Sequence, residues 1–529
     1  MTVKAIPTDS GPSGPDRGPT GHPTEDKIDA AVLKIAGVVV LGAIMSILDI
    51  TVVNVALPVF QTVFTGAAKP LDYSTVAWTV TGYTLALATV IPLSGWAADR
   101  FGTKRLYMLA IVLFTSGSAL CATAWSIDVL IAFRVLQGLG GGMLMPIGMT
   151  IMTRAAGPQR MGRLMAILGV PMLLGPILGP IIGGWLIQTA SWHWIFLINV
   201  PIGIVALIYS WRALPKDDPK PSESFDFIGM LLMSPGLALF LFGVSSIPGR
   251  GTVAAPRVWV NMLAGALLMV AFVVWSFRPK HPLLDLRLFR NRNLTVSVIT
   301  MFMFAAAFFG GLLLVPTYFQ EIRHESTLTA GLLVAPQGIG AMLTMPIAGA
   351  LTDKMPVGRI IPFGLVGILI GMFGLTQITA DTSYVVLIIE LFVMGLGMGA
   401  TMMPLFTSAL KTLTASEVAR GSTLLNISQQ IASSVGVATM SVILTNALKS
   451  KPLALPAIAS LKDPSIAAQI GGAAGVVKGL GEAAAAFATT YWVAWVLVAL
   501  TLVPAFFLPR KREPSHLLDE TEVAPTLMH

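Results

Sequence analysis

The amino-acid sequence predicts an all-α polytopic membrane protein with fourteen transmembrane helices, arranged as two six-helix bundles with two linker helices inserted between them. Three observations lead to this prediction: a composition too apolar for water, fourteen apolar runs of spanning length, and an internal repeat. Of the 529 residues, 55% are hydrophobic and 11% are charged, whereas a soluble chain carries about 25% charged residues. The mean hydropathy of +0.79 agrees with burial in lipid.

The chain begins with a tail rich in Pro, Gly, Ser and Thr, which is too poor in apolar residues to fold and is expected to be disordered. The first apolar run lacks a small-residue cleavage site, so we predict a retained membrane helix rather than a signal peptide. Each apolar run is about long enough to cross a bilayer. The runs lie at 31–63, 74–98, 106–125, 127–152, 164–189, 194–212, 225–247, 257–277, 294–319, 328–352, 360–379, 384–409, 421–447 and 485–508.

A repeat with an offset of roughly 255 residues relates the first six runs to the last six. The stretch from Gly95 to Gly102 recurs from Gly349, and Gly138-Leu-Gly140 recurs as Gly395-Leu-Gly397. Many transporters build a central site between two such repeats. The predicted organisation is a disordered cytoplasmic tail (1–30), an N-terminal bundle (31–213), a linker with two helices (214–280), a C-terminal bundle (281–509) and a second cytoplasmic tail (510–529).

The Lys and Arg residues are distributed as expected for the loops of a membrane protein. The net charge is +8, but Lys and Arg occur in short clusters between apolar runs, which is not the pattern of a nucleic-acid-binding face. With the N-terminus inside, about 25 of the 34 Lys and Arg lie on the cytoplasmic side, so both termini are predicted to be cytoplasmic. The outer segment 448–484 departs from the trend with four Lys. Either an amphipathic hairpin or a mobile loop fits that segment.

Charged residues within the spans are the main functional candidates, because they are costly in lipid. Asp49 lies about midway along the first span, where desolvation favours the protonated carboxyl, so it could bind and release a proton. Arg134 in the fourth span needs a buried partner, and Asp49 is the expected one. A permanent structural ion pair is the alternative. Glu390 is a second candidate, either protonated near lipid or facing a cavity, and Asn54 is a candidate cavity residue.

Glycines in the fourth and fifth spans predict close helix packing rather than phosphate binding, since no Walker pattern follows them. In the fourth span the motif is Gln137, Gly138 and Gly140, with Gln137 on the same face as Arg134. In the fifth span glycines spaced by four residues form a flat face, and prolines are expected to bend the helix. This fifth-span set is Gly175, Pro176, Gly179, Gly183 and Gly184. It suits a sliding seam, or a packing groove without motion.

Charged residues also cluster after the second span. The set is Gly95, Asp99, Arg100, Gly102, Lys104 and Arg105, with Asp353 in the second copy. An Asp here can accept hydrogen bonds from a helix N-terminus and from Arg, which would form a latch at the cytoplasmic face. A solvated loop without a gating role is the alternative.

Enzymatic chemistry is not supported by the sequence. The single cysteine, Cys121, excludes an intrachain disulfide and a Cys-based metal site. The six His are spread through tails and loops without ligand spacing, and no nucleophile elbow or zinc motif is found. We therefore predict no enzyme, no metal and no nucleic-acid partner.

These motifs resemble those of the major facilitator superfamily, and specifically its fourteen-helix drug:proton antiporters of the EmrB/QacA type, over nearly the whole chain. The fifth-span motif is the most discriminating, because it separates exporters from uptake members. The matching stretches are Leu48 to Pro58, Gly95 to Arg105, Arg134 to Gly141, Gly175 to Gly184 and Trp192 to Pro201, with His193 where Arg is usual and Pro171 where Gly is usual.

The resemblance implies a major facilitator fold and a proton-coupled multidrug efflux antiporter in a bacterial plasma membrane, exporting hydrophobic or cationic compounds by alternating access. It implies proton coupling for Asp49 and Arg134, a cytoplasmic gate for Asp99 and its basic neighbours, and an alternating-access seam for the fifth-span glycines. No cofactor is expected, because the proton gradient drives transport. The expected partners are small substrates, protons and membrane lipids; a periplasmic adaptor stays open.

Two other functions fit the same sequence. The first is an exporter of one specific endogenous lipid or metabolite, which a narrow substrate profile would favour. The second is a membrane sensor that binds a ligand without moving it, which ligand binding without transport would favour.

Overall fold

The computed structural model describes residues 30–64, 73–217, 224–247, 254–414, 417–461 and 464–511, and a minority of side chains within these ranges lie outside the description. The described chain is helical, as predicted. The helices are α1 (Ala30–Val63), α2 (Tyr73–Phe101), α3 (Thr103–Cys121), α4 (Ile127–Thr189), α5 (Trp194–Leu197), α6 (Asn199–Ala213), α7 (Phe227–Ser245), α8 (Pro256–Ser276), α9 (Arg292–Glu321), α10 (Thr327–Lys354), α11 (Val357–Leu375), α12 (Tyr384–Lys411), α13 (Val418–Lys449), α14 (Ala454–Ser460), α15 (Pro464–Gln469) and α16 (Gly472–Ala505).

Thirteen stretches of the described residues are long and apolar enough to cross a membrane. They match thirteen of the fourteen predicted runs, with α5 and α6 together forming one span from Trp194 to Ala213. The remaining predicted run, 164–189, lies in the second part of α4, where many side chains are outside the description. The predicted N-terminal tail and most of the C-terminal one also lie outside the described residues.

The expectation of separate fourth and fifth helices needs a correction. α4 is one helical element of 63 residues. Arg134 in its first part bonds Asp49 of α1, and Gly179 in its second part packs against Thr51, only two residues further along α1. A straight helix would separate Arg134 and Gly179 by roughly 68 Å. The element therefore doubles back, so that both parts lie against the same turns of α1 as two spans would.

The described part of the segment 448–484 is largely helical. Two short helices, α14 and α15, occupy its middle, and the last helix begins at Gly472 rather than near residue 485. Glycine suits this start because Gly471 and Gly472 both have positive φ angles, 95° and 69°. Glu482 of α16 accepts a hydrogen bond from the Leu453 backbone N–H at 3.1 Å, which ties α14 to the last helix.

The two six-helix halves meet at what we call the basic end, the end of the bundle that carries Arg100, Lys104, Arg105 and Arg154. Small polar side chains of α2 and α4 bond to the first two turns of α13 there. The contacts are Ser94 Oγ to Thr423 Oγ1 at 3.3 Å, Thr150 Oγ1 to Ser422 Oγ at 3.0 Å, and Ser422 Oγ to the Pro146 carbonyl at 3.2 Å. These side chains are all buried, so this end of the bundle is closed.

The inserted helices α7 and α8 pair with each other and bridge the two halves. Gly243 and Gly265 let their backbones approach so closely that a Cβ at either position would clash with the partner helix. Ser234 of α7 donates to the Thr89 carbonyl of α2 at 2.7 Å. On the other side, Val258 of α8 packs in an apolar cluster with Ala438 of α13. The insertion is therefore an integral part of the bundle.

Candidate functional site

The structure brings Asp49 and Arg134 together, as the sequence predicts. Asp49 lies midway along α1 and Arg134 lies in the second turn of α4, and both side chains are fully buried. Arg134 Nη1 donates to Asp49 Oδ2 at 2.5 Å, and Arg134 Nε donates to the Thr79 carbonyl of α2 at 2.9 Å. A buried ion pair holds its geometry only when further hydrogen bonds satisfy both partners.

Gln137 closes a ring with this pair. It lies one turn after Arg134, which places both side chains on the same face of α4. Its Oε1 accepts from Arg134 Nη1 at 2.8 Å, and its Nε2 donates to Asp49 Oδ1 at 2.8 Å. The amide therefore contacts both charges and fixes the orientation of the carboxylate.

Asn199 completes the environment of the carboxylate. It lies at the start of α6 and donates through Nδ2 to Asp49 Oδ1 at 3.1 Å and to Ser118 Oγ of α3 at 3.1 Å. Ser118 in turn donates to the Phe196 carbonyl at 2.9 Å. Asp49 thus accepts three side-chain hydrogen bonds, and the network joins α1, α2, α3, α4 and α6 around one acidic group.

An aromatic face covers the guanidinium. Arg134 Cζ lies 4.1 Å from the centre of the Tyr83 ring and 5.8 Å from that of Phe196. Tyr83 is fully buried, and its hydroxyl lies 3.2 Å from Ser46 Oγ, one turn before Asp49. The cation therefore stays stabilised by the ring face and by carbonyl and amide oxygens when the charge of Asp49 changes.

Sequence reasoning identified three members of this network and missed three. The sequence gives no functional role to Asn199, Ser118 or Tyr83, because a single polar side chain in an apolar run often has only a structural hydrogen bond. Asn199 could have been found from its place in the stretch from Trp192 to Pro201, which resembles a family motif. Asn199 is the one buried side-chain amide of that stretch.

Glu390 lies apart from this network. It is on α12, in the other half, where its carboxyl packs against Gly374 near the end of α11. It is half-buried rather than enclosed. The structure therefore does not bring Glu390 to Asp49. The Glu390 side chain points toward α11, and the assignment of Glu390 to a substrate cavity stays a prediction.

The fourth-span glycines pack against two neighbouring helices. A Cβ at Gly138 would meet the Tyr83 carbonyl of α2, and one at Gly140 would meet the backbone of α3 at Ala110 and Phe114. The absence of side chains lets α2 and α3 approach α4 in the two turns that follow Arg134. This is the packing role that the spacing predicts.

The fifth-span glycines pack against α1 around Asp49. Gly175 approaches Ile47, Gly179 approaches Thr51, and Gly183 approaches Val52, whereas Gly184 faces open space. These three contacts lie within the first half, and the role of the glycines in an alternating-access seam stays a prediction. Pro176 lies in the helix, but its ring is outside the described side chains. An inter-half contact occurs earlier in the element, where Gly169 packs against Met345 and Met403.

At the basic end, Asp99 accepts from Arg154 Nη2 of α4 at 3.1 Å. Lys104 and Arg105, which belong to the same predicted gate, contact a second acidic residue, and their role in gating stays a prediction. Their backbone N–H groups donate to the Asp217 carboxylate at 2.8 and 3.0 Å, and Lys104 Nζ donates to the Leu214 carbonyl at 2.8 Å. An acidic residue beyond α6 therefore caps the N-terminus of α3.

Glycine is required at two positions here. Gly102 has a φ of +90°, and a Cβ on it would collide with Asp217. Gly95 lies against the first turn of α13, where a Cβ would come within 2.9 Å of Thr423 Oγ1. Arg100, the last basic residue of α2, lies at the same end. Asp353 is buried at the end of α10, in the position of the second motif copy.

Asn54 lies one turn beyond the network on α1 and is exposed, unlike the buried Asp49. An exposed amide within a span fits a water-filled space better than lipid contact. Its assignment to a substrate cavity stays a prediction.

Comparison with known proteins defines the class. The family model for the Major Facilitator Superfamily matches residues 39–437. The chain belongs to this superfamily of membrane transporters, which confirms the predicted family and the all-α polytopic fold. The transporter assignment also agrees with the absence of catalytic motifs from the sequence.

The more particular relatives carry multidrug names. A protein of Mycobacterium tuberculosis named multidrug resistance protein B homolog is 45% identical over 526 residues, covering 96% of this chain and 95% of that protein. The multidrug export protein EmrB of Haemophilus influenzae is 29% identical over 399 residues, covering 75% and 77%. The solved proton:xylose symporter XylE has the same fold, with a TM-score of 0.61, 16% identity, and coverage of 93% and 99%.

Proposed function

We propose that this protein is a proton-coupled multidrug efflux antiporter that exports hydrophobic or cationic compounds across a bacterial plasma membrane, with both termini in the cytoplasm. The observation that carries the proposal is the buried Asp49–Arg134 pair, held by Gln137 and Asn199 between the helices of one half. The multidrug names of relatives that cover most of the chain support the substrate class.

The network supplies a route for coupling. When a proton from outside neutralises the Asp49 carboxylate, the ion pair with Arg134 loses its Coulombic attraction, while Gln137, the Thr79 carbonyl and the Tyr83 ring continue to hold the cation. The carboxyl oxygens then need fewer donors, so Gln137 and Asn199 are freed to rearrange. Because these side chains join α1, α4 and α6, protonation changes how the helices of this half pack together.

Transport then follows by alternating access. The closed basic end, with its Ser94–Thr423 and Thr150–Ser422 contacts, is the cytoplasmic seal, and the exposed Asn54 lies toward the space that opens outward. Substrate leaves to the outside as the proton binds. Opening of the basic end then lets the proton leave Asp49 into the cytoplasm and lets the next substrate enter.

The test is uptake of a fluorescent cationic dye by inverted membrane vesicles under an imposed pH gradient. Wild type is compared with Asp49→Asn and with Asp128→Asn, a matched control that makes the same chemical change at an exposed carboxylate on α4. We expect gradient-driven uptake in wild type and in the control, and a loss of at least tenfold in Asp49→Asn. Protein amount and thermal stability are measured for each variant.

Two results would contradict the proposal. If Asp49→Asn keeps gradient-driven uptake, coupling lies elsewhere, and Glu390→Gln in the same assay identifies the remaining candidate. If no compound in a chemically varied dye panel is moved by wild type, the protein is a specific exporter or a sensor instead.

A further inference from the structure

A groove on the membrane-facing side of the second half ends in two arginines. It has a volume of about 770 Å³ and lies between α10, α11 and the segment after α16. Arg359 and Arg510 lie at its basic end, and both side chains are exposed. The rest of the lining is almost entirely apolar, and includes Ile347, Phe363 and Phe506, with 61%, 79% and 54% of their surfaces exposed.

The order of residues along each element gives the groove a polar head and an apolar tail. On α11, Arg359 is followed one turn later by Phe363, and in the segment after α16, Phe506 is followed four residues later by Arg510. On α10, Ile347 and Leu351 lie one turn apart and line the groove, and Met355, the residue that follows α10, continues this apolar lining. Arginines at the ends of spanning helices reach the headgroup layer, while the apolar lining stays at the depth of the acyl chains.

Comparison of the two halves shows that they differ in the residues that follow the last helix of each half. Leu214-Pro215-Lys216 follows the last helix of the first half, and Leu508-Pro509-Arg510 follows the last helix of the second. In the first half the next residue is Asp217, whose carboxylate binds the start of α3. In the second half the next residue is Lys511, and the start of α11 is satisfied instead by the Pro509 carbonyl, which accepts from the Gly358 N–H at 3.1 Å.

At this position the first half therefore has an acidic residue, Asp217, whereas the second half has a basic one, Lys511. Within the described part of the chain, neither Arg359 nor Arg510 has a carboxylate within ion-pairing distance, and the guanidinium of Arg510 lies over the Phe506 ring at 5.9 Å. Two such arginines at the head of an apolar, membrane-facing groove complement a phosphate attached to acyl chains.

We propose that this groove is a binding site for one anionic phospholipid of the leaflet at the basic end, with the phosphate between Arg359 and Arg510 and an acyl chain along Ile347, Phe363 and Phe506. The proposal concerns a site outside the Asp49 network and does not depend on the transported substrate.

The test is equilibrium binding of tail-labelled phosphatidylglycerol and of the matching phosphatidylcholine to the full-length protein in detergent. The variant Arg359→Gln/Arg510→Gln removes both cations. The control Arg212→Gln/Arg278→Gln removes two exposed arginines at the same end, one in the last turn of α6 and one just after α8. We expect about a fivefold loss of phosphatidylglycerol affinity for each groove arginine, and no comparable loss in the control.

A second variant separates a lipid from a free phosphate. Ala400→Trp fills the groove without changing charge, since Ala400 is part of its lining, and it should weaken phosphatidylglycerol binding at least fivefold. Glycerol 1-phosphate, which has the headgroup chemistry without chains, should not compete. Arg359→Lys/Arg510→Lys should keep most of the affinity, and thermal unfolding checks that every variant is folded.

Three results would overturn the proposal. One is equal binding of the two lipids by wild type. Another is an equal loss in the groove and control variants, which would indicate a general effect of charge. The third is full competition by glycerol 1-phosphate with no effect of Ala400→Trp, which would assign the arginines to a soluble anion.

Discussion

At the residue scale, one carboxylate organises the first half of the molecule. Asp49 accepts from Arg134 and Gln137 of α4 and from Asn199 of α6, so one carboxylate on α1 holds two other helices. Burial makes each charge depend on the other, because removing one partner leaves an uncompensated charge in an apolar surrounding. The same dependence makes the pair suitable for coupling a proton to packing.

A double-mutant cycle on Asp49 and Arg134 tests, without any transport assay, whether the stability contributed by each charge depends on the other. We expect Arg134→Gln to destabilise the protein by about 3–5 kcal/mol, because Asp49 then stays buried without its cation. Asp49→Asn/Arg134→Gln should lose less stability than the sum of the two single variants. The measurement is thermal unfolding in detergent, and additive losses would show that the two side chains are not energetically coupled.

Asn199 provides a second test at this scale. Asn199→Ala removes one donor to Asp49 and one to Ser118 and leaves their oxygens buried, so we expect a loss of about 1–3 kcal/mol. Asn261→Ala is a suitable control, since Asn261 is half-buried on α8 and its side chain donates to its own helix, at the Arg257 carbonyl. Equal unfolding temperatures for the two variants would contradict the role given to Asn199.

At the element scale, glycine faces decide how close the helices come. Gly175, Gly179 and Gly183 place the second part of α4 against residues of α1 that come before and after Asp49 in the sequence. A Cβ added at Gly184 of the same motif would meet no described atom within 4 Å. The spacing alone predicted a flat face, but it could not identify the partner, because any helix can pack on such a face.

This contrast gives a matched pair of substitutions. Gly179→Ala introduces a Cβ into Thr51, and overpacking of this kind costs about 1–3 kcal/mol. Gly184→Ala adds the same atom to open space, where the better helix propensity of alanine makes it neutral or mildly stabilising. Thermal unfolding of both variants measures the difference. A lower unfolding temperature for Gly184→Ala than for Gly179→Ala would contradict the packing described.

The sequence was sufficient for the family, the fold class and the Asp49–Arg134 pair, since a buried Arg within the same half has few acidic partners. It was insufficient where tertiary geometry decides. The partners of Lys104 and Arg105 depend on Asp217, which lies more than a hundred residues away and whose role no local pattern reveals. The apolar runs predicted two spans within α4, but they could not show that helical structure continues from one span into the next.

At the scale of the whole molecule, the two halves are joined at the basic end through α13. Thr150 and Ser422 lie 3.0 Å apart between their hydroxyl oxygens, on helices of different halves. If this contact is the seal that opens during each cycle, fixing it must stop transport. The single cysteine, Cys121, is buried and its thiol donates to Gln137 Oε1 at 3.6 Å. Serine keeps a donor at this position, so Cys121→Ser is the background chosen for crosslinking.

The prediction is that Thr150→Cys/Ser422→Cys in a Cys121→Ser background loses dye transport on oxidation and regains it on reduction. Each single cysteine variant, treated in the same way, should stay active. Undiminished transport by protein shown to be crosslinked would mean that the halves do not separate at this end.

The central claim is that Asp49 carries the proton that is exchanged for substrate. The most direct measurement is the internal pH of proteoliposomes containing the purified protein and a pH-sensitive dye, after an outward or inward substrate gradient is imposed without a pH gradient. We predict that wild type and Asp128→Asn move protons opposite to the substrate, and that Asp49→Asn does not, although it still exchanges labelled for unlabelled substrate. Substrate-driven proton movement of wild-type size in Asp49→Asn would contradict the account.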